Sequence, residues 1–306
     1  MNNQRNRKNS ESFFSSLIGE RTHAKTAGLI YTAAALAIFA VSLVIGFISV
    51  GEGEQPQWWL YLSFLAAPMA FLVVGIWYFS YTQTSPSVFI KEQKAPWKYY
   101  LIAIILQVGL FGLSELNVLF VEFLQSLGYK DGGITLPNMQ GAGFIGVLIT
   151  IAVIPAIMEE FVFRGIFLRE IKEFSLLSQV LICGALFALY HQNPAQTIYQ
   201  FICGAAFALV AIKSGSMLPT MLSHFINNAV ILLLTKFGVS SFEGPLYVGI
   251  LIVSGLCLVC SLVYLLVFDR QRQEGKKGNT KQLFACAGIG IFMLLLSWCA
   301  TLLTGF

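Results

Sequence analysis

Apolar runs of roughly 20 residues recur along the whole chain, each long enough to cross a bilayer as a helix. Nine candidate spans, 14 to 24 residues long, are read at 27–50, 58–81, 97–120, 141–158, 177–190, 197–212, 217–235, 246–268 and 283–303. Hydrocarbon offers no partner for backbone N–H and C=O groups, so a spanning chain must be a helix or a closed barrel. Barrel strands alternate apolar and polar residues over segments of about ten, and these runs do not alternate. The fold class predicted is therefore all-α, a polytopic bundle of about eight to nine transmembrane helices. Composition agrees: 57% of the 306 residues are hydrophobic and 11% charged, against about 25% charged in soluble domains. The first run is too long for a signal-peptide core and is kept as an anchor.

Lysine and arginine set orientation. The N-terminal tail holds Arg5, Arg7, Lys8, Arg21 and Lys25, and every second connection after it is basic. Those connections carry Lys91, Lys94 and Lys98; Arg164, Arg169 and Lys172; Lys213; and Arg270, Arg272, Lys276, Lys277 and Lys281. Together they hold 17 of the 19 basic residues, and the opposite side receives Lys130 and Lys236. This places the N-terminus in the cytoplasm. The chain divides into a basic tail (1–26), N-terminal spans (27–138), a central core (139–235) and C-terminal spans (236–306) with a basic loop at 269–282.

The net charge of +4 is spread over loops and gives no nucleic-acid footprint, so the partner expected is the lipid bilayer. The six cysteines lie in apolar runs and read as small buried residues, with no zinc spacing. No sequence repeat is seen, and nothing indicates an oligomeric state.

Three places break the apolar pattern. "EEFVFR" puts Glu159, Glu160 and Arg164 in an oily stretch; "FALYHQNP" places Phe187 and His191 four apart; "SHFINN" does the same for His224 and Asn228. Residues four apart share a helical face. Each histidine alone reads as a satisfied core residue, and the glutamates alone as an ion pair at a helix end. Together, on neighbouring apolar helices, they need one polar cavity to avoid several unsatisfied groups. Such a cavity can activate water. The chain has no HExxH and no pair of aspartates inside its spans. Ser214 and Ser216 flank Gly215 at a helix start and read as caps. Glu160 precedes Arg164 by four residues, the favourable order for an ion pair, which leaves Glu159 as the freer carboxylate.

"EEFVFRG" (159–165), "LFALYH" (186–191) and "KSGSMLPTMLSHFINN" (213–228) resemble the three motifs of the CPBP family. These are the CAAX-protease and bacteriocin-processing intramembrane proteases, also called Abi. The resemblance covers about residues 151–229 and implies an endopeptidase without a covalent intermediate. Its substrate would be a membrane-associated peptide or prenylated protein, and its setting the bacterial cell membrane. It implies that Glu159 and His191 activate water while His224 and Asn228 form the oxyanion site, with Glu160, Arg164 and Phe187 in support. No cofactor or metal is expected, because neither intramembrane histidine has a spare carboxylate within a turn. Other readings stand beside this one. In a zinc-dependent version Glu159, His191 and His224 would be ligands, and in a non-proteolytic immunity or regulatory protein the same residues would form a polar core. A transporter would use them as an ion path.

Overall fold

The computed structural model describes residues 22–48, 55–130, 132–239, 241–269 and 278–306. Most of the basic tail, most of the 51–57 connection and most of the 269–282 loop lie outside the described residues. Among the described residues the structure is helical throughout, without strands. Eight helices are long and apolar enough to cross a membrane, and a ninth is shorter. In chain order they are α1 (His23–Gly46), α2 (Gln57–Thr82), α3 (Trp97–Ser126), α4 (Gly143–Glu170), α5 (Leu176–Tyr190), α6 (Pro194–Ser214), α7 (Leu218–Lys236), α8 (Gly244–Phe268) and α9 (Thr280–Thr304).

All nine apolar runs thus become helices, with two corrections that bear on the site. The fourth run does not stop at residue 158. It continues to Glu170, so Glu159, Glu160 and Arg164 lie inside a 28-residue helix rather than in a connection. Arg164 is 4% exposed and is not one of the loop cations that set orientation. The fifth run, α5, has only 15 residues; at about 1.5 Å per residue it rises roughly 22 Å, short of a full bilayer core.

Packing explains which faces are apolar. α1 packs on α2 and α9, α5 on α6, and α3 on both α7 and α8. Large apolar side chains such as Leu43, Leu72, Ile76, Ile252, Leu256 and Phe292 stand exposed on the outside. Gln107, Glu160 and Thr220 are fully buried inside. A water-soluble protein does the reverse; this pattern fits lipid as the outer solvent. The protein is an integral membrane protein.

α5 and α6 form a tight hairpin because glycines face each other. A Cβ built on Gly204 would stand 3.0 Å from Gly184 Cα and 3.1 Å from Phe187 Cβ. Small residues at this crossing let the two backbones approach closely. The first turn of α6, next to the connection that carries His191, is pinned from two other helices. Asn117 Nδ2 donates to the Ala195 carbonyl (2.7 Å), and Trp298 Nε1 donates to Thr197 Oγ1 (2.8 Å). At the other end of α6, Gly215 takes the left-handed φ of 69° that ends the helix. Ser216 Oγ then accepts the Leu218 amide (3.1 Å), but the N-cap of α7 is Met217 and Ser214 ends α6, so neither serine is the N-cap read from sequence.

Candidate active site

α4 is not a uniform α-helix. Leu148–Val153 and Phe161–Phe167 are π-helical, and the α-helical turn Ile154–Glu160 between them carries both glutamates. Pro155 accounts for the first irregularity. It has no N–H for the carbonyl four residues before it, that of Ile151, and its ring crowds the preceding turn. Wide turns of this kind often mark functional sites.

The glutamates then point to different partners. Glu160 is fully buried, and its Oε1 accepts from Arg164 Nη1 at 2.8 Å. The same oxygen meets His224 Nδ1 at 2.9 Å. Arg164 Nη2 donates to the Gly204 carbonyl (3.0 Å), and its guanidinium lies 4.3 Å from the Phe187 ring centroid and 5.5 Å from that of Phe207. Two acceptors and two ring faces therefore hold the buried cation.

Glu159 faces the histidines. Its Oε2 lies 3.8 Å from His191 Nε2 and 3.9 Å from His224 Nε2. That oxygen is buried and makes no direct hydrogen bond. His191 caps α5; its Nδ1 lies 2.8 Å from the Phe187 carbonyl, so Nδ1 carries a proton and Nε2 is the ring nitrogen left to face Glu159. Phe187 is the wedge of the site. Its ring lies 4.7 Å from the His191 ring and 6.1 Å from that of His224.

Six of the seven residues singled out in the sequence thus form one cluster from α4, α5 and α7. Asn228 stands at its side, its Nδ2 donating to the Ile151 carbonyl at 3.2 Å, the group that Pro155 leaves without an i+4 donor. Neighbouring Asn227 is buried and donates from Nδ2 to Asn228 Oδ1 (3.2 Å). One expectation is corrected. A carboxylate does serve an intramembrane histidine, because Glu160 reaches across from α4 to His224, 64 residues away in sequence.

Phe207, Tyr199 and Gln107 were not read from the sequence. Phe207 packs 5.8 Å from the His224 ring; as one phenylalanine of 26 it carries no signal. Gln107 is a lone polar residue in an apolar run and Tyr199 stands beside Gln200; both hydrogen-bond Asn227 Oδ1 at 2.9 Å.

Fold and cluster define a polytopic membrane protein with paired carboxylates and imidazoles buried between spans. Its core, residues 141–230, matches the family model described as "Type II CAAX prenyl endopeptidase Rce1-like". The match encloses all three motifs and agrees with the CPBP-type resemblance they carry; that family is one of membrane proteases. No curated protein and no solved structure matches the chain.

Proposed function

We propose that the protein is an intramembrane endopeptidase that hydrolyses a peptide bond of a membrane-associated peptide or prenylated protein. Water activated by Glu159 and His191 would be the nucleophile. The observation that supports this reading most is the convergence of Glu159 Oε2 on two imidazole Nε2 atoms at 3.8 and 3.9 Å. These gaps are too long for direct hydrogen bonds, and an oxygen about 2.8 Å from both partners bridges each of them. With His191 neutral, a water between Glu159 and His191 meets two acceptors, one for each of its protons.

In the step proposed, Glu159 takes a proton from this water as its oxygen attacks the carbonyl carbon. His224 and Asn228 would donate to the oxyanion. Glu160 accepts the Nδ1–H of His224, so a second proton on Nε2 makes an imidazolium, and the charges of Glu159, Glu160, Arg164 and His224 then cancel. Such preset donors act where the negative charge develops. Collapse of the tetrahedral species breaks the C–N bond, and the proton held by Glu159 passes to the leaving amine.

A zinc-dependent version is the second reading, favoured by one observation: both histidines have Nδ1 anchored by an acceptor, as metal-bound histidines do. The spacing argues against it. Donors at about 2.1 Å from one tetrahedral zinc stand about 3.4 Å apart, several tenths of an ångström closer than the 3.8 and 3.9 Å found here. Among the described residues no His, Cys, Asp or Glu group has metal-holding geometry. Cofactor-free hydrolysis is the version proposed, and removal of metal is its test.

The test is cleavage of a farnesylated peptide ending in a CAAX sequence, together with comparative peptidomics of cells carrying the intact protein or Glu159→Gln. Products present with the intact protein and absent with the variant support the reading. Identical product sets defeat it and leave the non-proteolytic partner role. Activity is expected to survive dialysis against a strong chelator. Inactivation reversed by added zinc would favour the metal version.

A further inference from the structure

The polar groups beside the cluster form one continuous chain. Ser223 Oγ donates toward the Ala103 carbonyl (3.2 Å) and Gln107 Oε1 (3.1 Å). Gln107 Nε2 donates to Asn227 Oδ1 at 2.9 Å, and the Tyr199 hydroxyl donates to the same oxygen at 2.9 Å. Asn227 Nδ2 donates to Asn228 Oδ1 (3.2 Å), and Asn228 Nδ2 to the Ile151 carbonyl (3.2 Å). The chain crosses from α3 through α7 to α4. Gln107 is fully buried in a run of Leu, Ile and Val, where an amide is costly unless satisfied.

The polarity of the chain is held from both ends. The Ile151 carbonyl can only accept, so Asn228 must present Nδ2 to it and turn Oδ1 toward Asn227. Asn227 then shows Nδ2 to Asn228 and Oδ1 to Gln107. Gln107 in turn must offer Nε2 and keep Oε1 for Ser223. From the other end, Gln107 Nε2 and the Tyr199 hydroxyl both donate to Asn227 Oδ1, which keeps Asn227 Nδ2 on Asn228 Oδ1 and opposes a flip of the Asn228 amide. We infer that Gln107 is a positioning residue for the oxyanion donor: through Asn227 it holds the Asn228 amide with N–H, not C=O, turned away from α3. Asn228 Nδ2 has two hydrogens, and Ile151 takes one. The second is the donor that the proposed mechanism uses, and a flipped Asn228 would set a carbonyl oxygen against the developing negative charge. This inference rests on the oxyanion role proposed above for Asn228.

Gln107→Leu tests it, and the surroundings allow the variant to fold. Ser223 keeps the Ala103 carbonyl and Asn227 Oδ1 keeps Tyr199. On the farnesylated peptide, kcat is expected to fall about 10-fold with KM unchanged, since one misoriented donor is worth up to about 10²–10³-fold. In an Asn228→Ala background the same change should cost nothing further, because Gln107 acts only through that amide. Equal losses in both backgrounds would overturn the proposal. A second readout needs no substrate: in full-length protein with 15N-labelled asparagine, Gln107→Leu should shift or broaden the Asn228 side-chain amide, identified by its loss in Asn228→Ala. An unchanged Asn228 signal also overturns it. If Glu159→Gln and Asn228→Ala both cleave normally, the catalytic reading fails by itself, and the amide signal still decides whether Gln107 positions Asn228.

Discussion

At the residue scale the two adjacent glutamates differ by what surrounds each. The oxygen–nitrogen contacts of Glu160 to Arg164 and His224 are short and buried, whereas among the described residues Glu159 has the longer imidazole contacts. Glu159→Gln is expected to lower cleavage by at least about 10²-fold, the loss of a general base, with normal abundance and melting temperature. Glu160→Gln leaves Arg164 charged and buried without its counter-ion, which costs on the order of 3 kcal/mol. It should reduce melting temperature, membrane abundance and activity together. Measuring all three for both variants checks the division; a folded, inactive Glu160→Gln beside an active Glu159→Gln would reverse it. The pairing of Glu160 with Arg164 was legible because it needs only the i,i+4 rule. The contact of Glu160 with His224 was not, since it depends on how α4 crosses α7, and no local spacing encodes that.

At the element scale the site depends on two departures from regular packing, Pro155 in α4 and the glycine crossing of α5 with α6. Pro155→Ala supplies an N–H that competes with Asn228 for the Ile151 carbonyl. Turnover is expected to fall about 10-fold to 10²-fold, the scale of a small misplacement at a reacting centre, with melting temperature unchanged or raised. Gly184→Leu acts differently. A Cβ there already meets Ala205 N and Phe201 O at 3.0 Å, so a larger side chain forces the hairpin apart. It should cost about 1–3 kcal/mol in stability and displace Phe187 and His191 from Glu159. A thermal melt beside a cleavage rate separates the two: activity alone falls for Pro155→Ala, both fall for Gly184→Leu. The existence of all nine helices was legible from hydrophobic run length. The end of α4 was not, because Glu159, Glu160 and Arg164 interrupt the run, while in the bundle Arg164 pairs with Glu160 and Glu159 faces histidines from beyond α4. Charge on a sequence ends a span; charge paired inside a bundle does not.

At the scale of the whole molecule the extended α4 changes the charge count without changing its sense. With Arg164 inside the helix, 16 of the 19 basic residues remain in the tail, in alternate connections or at the helix ends that border them, against Lys130 and Lys236 on the other side. The short α5 does not alter the parity either. It runs toward His191 and α6 returns beside it, so the hairpin enters and leaves on one side whether or not α5 reaches the opposite surface. The bias in Lys and Arg therefore still predicts a cytoplasmic N-terminus and 269–282 loop and an external 51–57 connection. Single cysteines at Gln55 and Lys276, in a protein whose six native cysteines are replaced, provide the measurement. A membrane-impermeant maleimide added to intact cells is expected to label position 55 and not position 276. Inverted vesicles should give the opposite result. Labelling of position 276 in intact cells, with position 55 protected, would invert the molecule. It would also place the end of α4 that carries Arg169 and Lys172 outside the cell, and a substrate prenylated in the cytoplasm would then meet the cluster from the wrong side.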